Sequence, residues 1–537
     1  MFSLKILYQS RILYRLSAAL ENAASSIKKK SSNYEQSQFA TKHNDHLQAL
    51  KVELNEQKNG LSVSEWEDLR KNLISTYKNI NSVNVDAVIL GLCGGPEVIC
   101  LAKSYMHYLQ SSGMEANIAT IGRLLRIYNI AYHAKGGHET ALNAEEQQDI
   151  LKMYAKLRER YEILDATTCE NLICGLVCTK EWHLGLELLD MMKLTSTPSL
   201  TAYTELTIKA FSKLGDFKIG WRLLEQSVAQ RKEPKCDAYI AYLKNIANEP
   251  ANFESNFEMF LTFLEQNELI ITEKVTQFIT DNFTTSLSHA KSTQIDDQWK
   301  CANCGLHMRR IDISAGEYAK LSNSFLNKVL IRSDVFQKST PEEVERFNRF
   351  ITQTAPYDCV IDGLNVAYSA GVKKQPKMMA LLLANVVKHF KKQGKHLLVL
   401  GRMHMNNWPK DEMLYIRRNA KLFLTNDLSQ DDPFLLYATL KSGQSTDFCS
   451  RDMMRSHAFL LGNELKTVFR RWQQQHQYVL TNHDRRIIIK KPIQHLVCTH
   501  KVQDTWHVPY KQSYSPHPAE IFEVPESWLC LKFNKNV

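Results

Sequence analysis

The chain has 537 residues, 44% of them hydrophobic, and its 67 basic against 57 acidic side chains give a net charge of +10. This length is too great for one hydrophobic core and predicts about three domains, and the basic excess fits a polyanionic partner. No apolar run is long enough to span a membrane, and 12 cysteines in so long a chain exclude a small secreted disulfide scaffold.

The first 34 residues have the composition of a targeting segment. They carry Lys5, Arg11, Arg15 and the run 28–30 against a single acid, Glu21, with serines and large apolar residues between them. This pattern is typical of a mitochondrial transit segment rather than a secretory signal. We therefore predict a transit segment and disordered linker over 1–45 and a location in the mitochondrial matrix; a basic disordered tail is the alternative.

Residues 46–290 have helical periodicity and an internal repeat with a spacing of 35 residues. The repeat relates Gly175 to Ala210, Leu176 to Phe211, Trp182 to Phe217, Gly185 to Gly220, Leu188 to Leu223 and Leu189 to Leu224. Each unit is predicted to be two helices with a tight break between them, as at 213–216, and weaker units are expected at 82–116, 117–160 and 236–270. A single helix pair cannot bury its apolar face, so the pairs are expected to stack as an α-solenoid.

These units resemble pentatricopeptide repeats. The resemblance is carried by Thr201-Ala202-Tyr203 at the opening of one helix and by the Leu-Glu-Leu-Leu-Asp-Met-Met run of 186–192 at the close of another. It implies a concave surface that binds single-stranded RNA. A protein-binding helical array is the alternative.

A pair of cysteines, Cys301 and Cys304, follows the repeats and is succeeded by a glycine. Thiols at this spacing form a zinc knuckle that offers two ligands to one ion, so the other two ligands must be remote in sequence. The last fifty residues contain the candidates, which are His507, Cys530, Cys498 and His500. A redox pair is less favoured because no thioredoxin-like strand–helix unit follows the cysteines.

Residues 351–484 alternate between strand and helix patterns. Strands are predicted at 357–362, 396–400, 420–424 and 446–449, and helices at 378–392, 412–419 and 433–441. Such alternation predicts a parallel sheet with helices on both faces, whose functional groups gather at the carboxyl ends of the strands.

Four aspartates are candidates for such groups: Asp362 and Asp452 lie at or just beyond predicted strand ends, and Asp431 and Asp432 lie at a helix start after the strand that ends at Leu424. Two carboxylates about 4 Å apart repel by about 4 kcal/mol at an effective dielectric constant near 20, and a divalent cation removes that repulsion. Oxygen ligands suit magnesium, so the pattern indicates a metal-dependent nuclease. Taken singly, each aspartate is equally well explained as a helix cap or a turn residue.

The stretches Val-Ile-Asp-Gly-Leu-Asn at 360–365, Ser-Gln-Asp-Asp at 429–432 and Arg-Asp-Met-Met-Arg-Ser-His at 451–457 resemble the nuclease domain of proteinaceous RNase P. The order of segments along the chain resembles this family too, and its animal mitochondrial branch in particular. The resemblance implies a PIN-like nuclease fold over 351–484 and a split zinc-binding domain formed by 296–350 and 485–537. It assigns the four aspartates to magnesium, and Cys301, Cys304, His507 and Cys530 to zinc.

The resemblance also implies the reaction: removal of the 5′ leader of precursor tRNA with a 5′ phosphate left on the product. It implies two partner subunits, a tRNA methyltransferase and a short-chain dehydrogenase. Our hypothesis is hydrolysis assisted by two magnesium ions, or manganese, with Asp362 as the bridging ligand and Asn365, Arg455 and His457 in support. The alternatives are a non-catalytic RNA-binding protein with an inactive nuclease domain, and a PIN-like endonuclease that acts on other RNA.

Basic side chains at 388–395, 417–418, 470–471, 485–486 and 490–491 are expected to carry RNA affinity. Since each phosphate neutralised by the protein releases a counterion, that affinity should fall steeply with salt.

Overall fold

The structure, a computed structural model, describes residues 47–57, 60–94, 99–137, 140–212, 215–230, 232–325, 340–370, 375–426, 432–452, 454, 461–483, 486–512 and 524–534. The chain divides between Phe253 and Glu254 into two compact units. The first unit is helical in its described part, and the second contains two β-sheets with their helices.

The first unit contains, after a helical stretch at 47–55, a series of helices joined by short connections. They are α1 Val63–Thr76, α2 Val85–Leu92, α3 Ile99–Ser111, α4 Ile118–Ala134, α5 Ala144–Arg160, α6 Ala166–Leu176, α7 Leu184–Thr195, α8 Leu200–Ala210, α9 Phe217–Ala229 and α10 Cys236–Ile246. The 35-residue repeat corresponds to the pair α6–α7 followed by the pair α8–α9. The weaker units predicted at 82–116 and 117–160 are the pairs α2–α3 and α4–α5.

The breaks between paired helices are set by residues that the repeat pattern singled out. Asp216 caps α9, since its carboxylate accepts the backbone N–H groups of Lys218 and Ile219. Gly185 and Gly220 allow helices to approach closely, because a Cβ at these positions would lie 2.9 Å from Leu206 and 2.4 Å from Phe211, respectively. The buried apolar faces of the pairs merge into one continuous core, as an α-solenoid requires.

Buried polar groups also join α4 to α8. Glu205 accepts hydrogen bonds from the Asn129 side chain at 2.9 Å and lies 2.7 Å from Nε2 of His133. Burial opposes the charged imidazole, but the hydrogen bond and the negative charges of Glu205 and Asp237 outweigh it and raise the pKa of His133. These hydrogen bonds connect helices of different repeats, so polar contacts stabilise the helical array in addition to its apolar core.

The second unit begins at the second residue of α11 Phe253–Gln266, which is followed by β1 Ile271–Thr272, α12 Glu273–Asn282 and β2 Leu287–Thr293. The last three strands of the chain are β9 His500–Val502, β10 Thr505–Lys511 and β11 Ser527–Phe533. Strand β11 pairs antiparallel with both β2 and β10, and β10 pairs also with β1 and β9. One sheet therefore joins segments from both sides of a long insertion, as expected for a split domain.

The inserted sheet has six strands in the order β5-β4-β3-β6-β7-β8. They are β3 Cys359–Asp362, β4 Leu397–Arg402, β5 Lys421–Thr425, β6 Asp447–Cys449, β7 Gln477–His483 and β8 Arg486–Lys490. Strands β3 to β7 run parallel, which confirms the predicted arrangement, but β8 is antiparallel to β7. The hairpin β7–β8 was not anticipated, and it ends the sheet without a crossover helix.

Helices cover both faces of this sheet. They are α13 Ala315–Ser324, α14 Pro341–Thr354, α15 Gly363–Ala367, α16 Pro376–Lys391, α17 Lys410–Asn419, α18 Asp432–Ser442 and α19 Gly462–His476. Alternate residues of the central strand serve the two faces: Val360 belongs to the core formed with α13, α14, α18 and α19, and Ile361 to the core formed with α15, α16 and α17. The fold class is thus the predicted one, a helical array followed by a split sheet domain and an inserted α/β domain.

Candidate active site and metal centre

The carboxyl ends of β3 and β6 bring two of the four predicted aspartates together. These strands are parallel neighbours with Ile361 opposite Cys449, so Asp362 at the end of β3 lies beside Ser450, which follows β6. Asp362 is buried, with 4% of its surface exposed, whereas Asp452 is exposed. The sheet therefore presents one buried and one exposed carboxylate at the edge where α/β domains carry their functional groups.

The buried side chain of Ser450 links the two aspartates. Its hydroxyl donates to Oδ2 of Asp362 at 3.1 Å and accepts the backbone N–H of Asp452, also at 3.1 Å. A second connection runs parallel to it, because Oδ1 of Asn365 accepts the backbone N–H of Arg451 at 2.9 Å. Asn365 thus holds the turn after β6. Ser450 was not among the predicted site residues, although it directly precedes the Arg451-Asp452 motif.

Each described aspartate also has a local structural role. Oδ1 of Asp362 accepts the backbone N–H of Asn365 at 3.0 Å and caps the short helix α15. Oδ1 of Asp452 accepts the N–H of Met454 at 2.6 Å, and Met454 has a φ of 49°, which a regular helix cannot contain. The cap explanation therefore holds for Asp362, in addition to its contact with Ser450, while the carboxylate of Asp452 closes a tight turn with Met454.

The negative charge of Asp362 acts on a neighbour in the sheet. Burial, and then the charge of Asp362, raise the pKa of the Cys449 thiol well above its usual value, so this thiol stays protonated and neutral. The other predicted members of the site cannot be placed in the same detail. Asp431, Arg455 and His457 lie outside the described residues, and of Asp432 only the backbone is described, as the first residue of α18.

A second cluster consists of Cys301, Cys304, His507 and Cys530, whose ligand atoms all lie within 4.8 Å of one another. His507 and Cys530 are directly opposite each other on β10 and β11, and Nε2 of His507 lies 3.2 Å from Sγ of Cys304. Ligands of a tetrahedral zinc ion, about 2.3 Å away for sulfur and about 2.0 Å for nitrogen, are similarly close to each other. Three thiols and one imidazole are the donor set of a structural zinc site, so the cluster fits that ion.

The structure decides between the candidate ligands that the sequence left open. His500 uses both ring nitrogens elsewhere: Nδ1 donates to the carbonyl of Cys498 at 2.7 Å, and Nε2 accepts the backbone N–H of Arg309 at 3.4 Å. Neither His500 nor Cys498 belongs to the cluster. The choice of His507 and Cys530, which the family resemblance implied, is the one that the geometry supports.

The protonation of the cluster also suits a metal. Burial, together with the nearby His500, lowers the pKa of His507 to about 4, so its imidazole is neutral and has a lone pair for a ligand bond. Burial, and then the thiols of Cys301 and Cys304, raise the pKa of Cys530. A zinc ion reverses this preference because it binds the thiolate form, and loading the site therefore releases protons.

One member of the predicted RNA-binding set has a different role. Nζ of Lys395 lies 2.6 Å from Oδ2 of Asp447 and 3.3 Å from the hydroxyl of Tyr478, at the amino ends of β6 and β7. This ion pair is largely buried and crosses the edge of the sheet opposite Asp362, so Lys395 stabilises the sheet. Lys388, in the last turn of α16, is exposed.

Among the described residues, no helix has both the length and the apolar composition that crossing a bilayer requires.

Comparisons with known proteins agree with this architecture. A family profile described as protein-only RNase P matches residues 295–530. The mitochondrial ribonuclease P catalytic subunit of Mus musculus is 30% identical over 405 residues, which cover 72% of this chain and 67% of the mouse protein. The subunit of the same name from Rattus norvegicus is 29% identical over 490 residues, which cover 88% of this chain and 78% of the rat protein.

A solved structure shares the fold. The crystal structure of nuclear proteinaceous RNase P 2 from Arabidopsis thaliana matches with a TM-score of 0.55 at 16% identity, and the match covers 84% of this chain and all of that one. The family profile and the similarity to the mammalian catalytic subunits show that this chain belongs to the protein-only RNase P family.

Proposed function

We propose that this chain is the endoribonuclease that removes the 5′ leader of mitochondrial precursor tRNA by metal-dependent phosphodiester hydrolysis and leaves a 5′ phosphate. The observation that carries the proposal is the linkage of Asp362 to Asp452 through Ser450 at the carboxyl edge of the α/β sheet, in a chain of this family. We assign the catalytic and magnesium-binding roles to Asp362, Asp431, Asp432 and Asp452.

The donor chemistry of the edge fits magnesium. The described ligands are carboxylate oxygens, which are hard donors, and a carboxylate as buried as Asp362 is stabilised by a divalent cation. Magnesium bound there, two ions in our proposal and manganese as a substitute, would stabilise the developing charge at phosphorus and lower the pKa of the attacking water. Zinc at the second cluster has a structural role.

The residues of the chain have separate tasks in this proposal. The Ser450 hydroxyl and the Asn365 backbone N–H hold the carboxylate of Asp362 in one orientation, since they bind its two oxygens. The Asn365 side chain fixes the turn that presents Asp452. Arg455 and His457 are proposed to support the site near the scissile phosphate.

The organisation of the chain supports the same substrate. We propose that the helices α1 to α10 bind the folded RNA. We propose also that the split zinc domain, whose sheet is formed by β1, β2, β9, β10 and β11, carries the nuclease domain, whose sheet is formed by β3 to β8. We further propose a transit segment in 1–45, a mitochondrial matrix location, and action together with a tRNA methyltransferase and a short-chain dehydrogenase.

The test uses 5′-extended precursor tRNA and magnesium, with the purified chain alone and with both partner proteins, followed by mapping of the cut and its end groups. We expect one cut at the mature 5′ end. Asp362→Asn and Asp431→Asn should abolish cleavage but retain RNA binding. Asp358→Asn is the matched control, because Asp358 precedes β3 at the opposite edge of the sheet, where it accepts the backbone N–H of His396 at 2.7 Å.

Two results would replace the proposal. Binding of the RNA without any cut, under all partner and metal conditions, would indicate a non-catalytic RNA-binding protein. Cuts at positions other than the mature 5′ end would indicate an endonuclease for other RNA.

A further inference from the structure

The first residue of β7, Gln477, lies against the turn that carries Asp452, and it is fully buried. Its side-chain nitrogen donates to two backbone carbonyls, those of Ser450 and Asp452, each at 2.9 Å. Its side-chain oxygen accepts from the amide of Gln473, on the last turns of α19, at 2.8 Å. Both hydrogens of the Gln477 amide are therefore used on the same three-residue turn.

These bonds complete a network around Ser450. The carbonyl of Ser450 accepts from Gln477, its N–H donates to the carbonyl of Tyr478 at 3.2 Å, and its hydroxyl joins Asp362 to Asp452. The turn is thus held by hydrogen bonds to Gln477 and Tyr478 of β7 and to Asp362 at the end of β3. A change in the carbonyl positions of the turn would move the Ser450 hydroxyl, and with it the alignment of Asp452 against Asp362.

We propose that Gln477 is a positioning residue that sets the separation and orientation of Asp362 and Asp452 for metal binding. This inference depends on the proposed function only in taking that pair as metal ligands. Gln477 touches neither carboxylate directly and acts through the backbone of the turn. A buried amide is suited to this role because it is neutral and can hold two carbonyls at once.

The chain offers a matched control two residues earlier. Gln475, on α19, donates its side-chain amide to the carbonyl of Ile311 at 2.9 Å, in the segment before α13. A Gln→Met change removes two hydrogen bonds to carbonyls at Gln477 and one at Gln475. The carbonyls bound by Gln477 belong to the turn that carries Asp452, whereas the carbonyl bound by Gln475 belongs to the segment before α13.

The experiment measures Mn²⁺ binding to the zinc-loaded full chain by electron paramagnetic resonance, with Asp362→Asn as the blank. We expect Gln477→Met to weaken Mn²⁺ binding by about 10- to 100-fold, the range typical for residues that orient metal ligands. Gln475→Met should retain wild-type affinity even where both variants lower the melting temperature equally. Ser450→Ala should weaken Mn²⁺ binding as Gln477→Met does, and Ser450→Thr, which keeps the hydroxyl, should bind Mn²⁺ like the wild type. If Gln477→Met does not fold, these two Ser450 variants test the proposal in its place.

The proposal is overturned if Gln477→Met binds Mn²⁺ with wild-type affinity, or if Ser450→Ala does so where Gln477→Met does not fold. It is also overturned if the wild-type chain binds no Mn²⁺ at this site. A cleavage assay on precursor tRNA separates this from the proposed function. If Mn²⁺ binding depends on Gln477 but the wild-type chain does not cut that substrate, the positioning role stands and the proposed substrate is wrong.

Discussion

Loss of the zinc ion should destabilise the sheet formed by β1, β2, β9, β10 and β11, which joins the chain segments on either side of the α/β insertion. Cys304 and His507 are 203 positions apart in the chain, so an ion between them closes a loop of about 200 residues. If the ion acts as a crosslink, the chain-entropy relation for such a loop gives about 5 kcal/mol at 25 °C, and metal–ligand bonding adds to this value. The perturbation we choose is Cys530→Ser, which removes one buried ligand from β11.

The assay is amide hydrogen exchange of β2, β10 and β11, together with the zinc content of the purified chain. Because each 1.4 kcal/mol is a factor of ten, a loss of about 5 kcal/mol should raise the exchange rates of these strands by more than about a thousandfold. Strands β3 and β4, whose neighbours lie in the other sheet, should change much less. Treatment of the wild-type chain with a strong chelator should have the same effect.

Cys498→Ser is the matched control, since Cys498 is close to β9 but does not belong to the cluster. It should keep one zinc per chain and wild-type exchange. A wild-type chain that carries no zinc, or a Cys530→Ser chain whose β10 and β11 exchange as slowly as wild type, would refute the reasoning.

Three further predictions concern packing, pH and charge. Gly363→Ala should lower the melting temperature and weaken cleavage, because the added Cβ would lie 2.5 Å from a backbone carbonyl of β4; a cost of about 1–3 kcal/mol is expected. His133→Gln should destabilise the helical unit most at acidic pH, because the contact with Glu205 raises the pKa of His133. The stability that the protonated His133 contributes is complete below about pH 6.5, the pKa of the unfolded state, and is lost as pH rises through the raised pKa of the folded state. Denaturation of both proteins between pH 5.5 and 8.5 measures this difference. Lys395→Met should lower the melting temperature, since it removes the ion pair between Lys395 and Asp447, but should leave the salt dependence of RNA binding unchanged.

Each of these predictions has a control and a contradicting result. Gly316→Ala, at a position where an added Cβ meets open space, should be tolerated, and equal melting temperatures for the two glycine variants would contradict the packing argument. A stability difference for His133→Gln that grows with pH would contradict the assigned direction of the pKa. Lys388→Met should reduce the salt slope of RNA binding by about one, and the same reduction in Lys395→Met would restore Lys395 to the RNA-binding surface.

The sequence predicted those parts of the fold that depend on periodic patterns. Helix α16 was expected at 378–392 and spans Pro376–Lys391, and strand β4 was expected at 396–400 and spans Leu397–Arg402. These boundaries were predictable because alternating and helical apolar spacing is set by which face each residue buries. The hairpin β7–β8 was missed because its two strands follow each other directly and so fall outside the strand–helix alternation on which the prediction depended.

The contacts of the site were harder to predict. The choice of His507 over His500 depends on two hydrogen bonds of His500 to residues outside the cluster, which no spacing rule contains. Lys395 resembled other surface lysines until the register of β6 placed Asp447 beside it. Ser450 and Gln477 had no motif of their own, because their importance comes from the carbonyls and carboxylates that neighbouring strands bring to them.

The pairing of β2 with β11 has a consequence for biosynthesis. Ser288 in β2 donates a hydrogen bond to the carbonyl of Lys532, 244 positions later. At a translation rate of about 5–20 residues per second, roughly 10–50 s pass between the synthesis of these two partners. For most of that interval the nascent chain has only Cys301 and Cys304 of the four zinc ligands, so the zinc site can be completed only after His507 and Cys530 have been synthesised. Prematurely terminated chains, which lack β11, are thereby left with an open sheet edge that proteolytic surveillance can recognise.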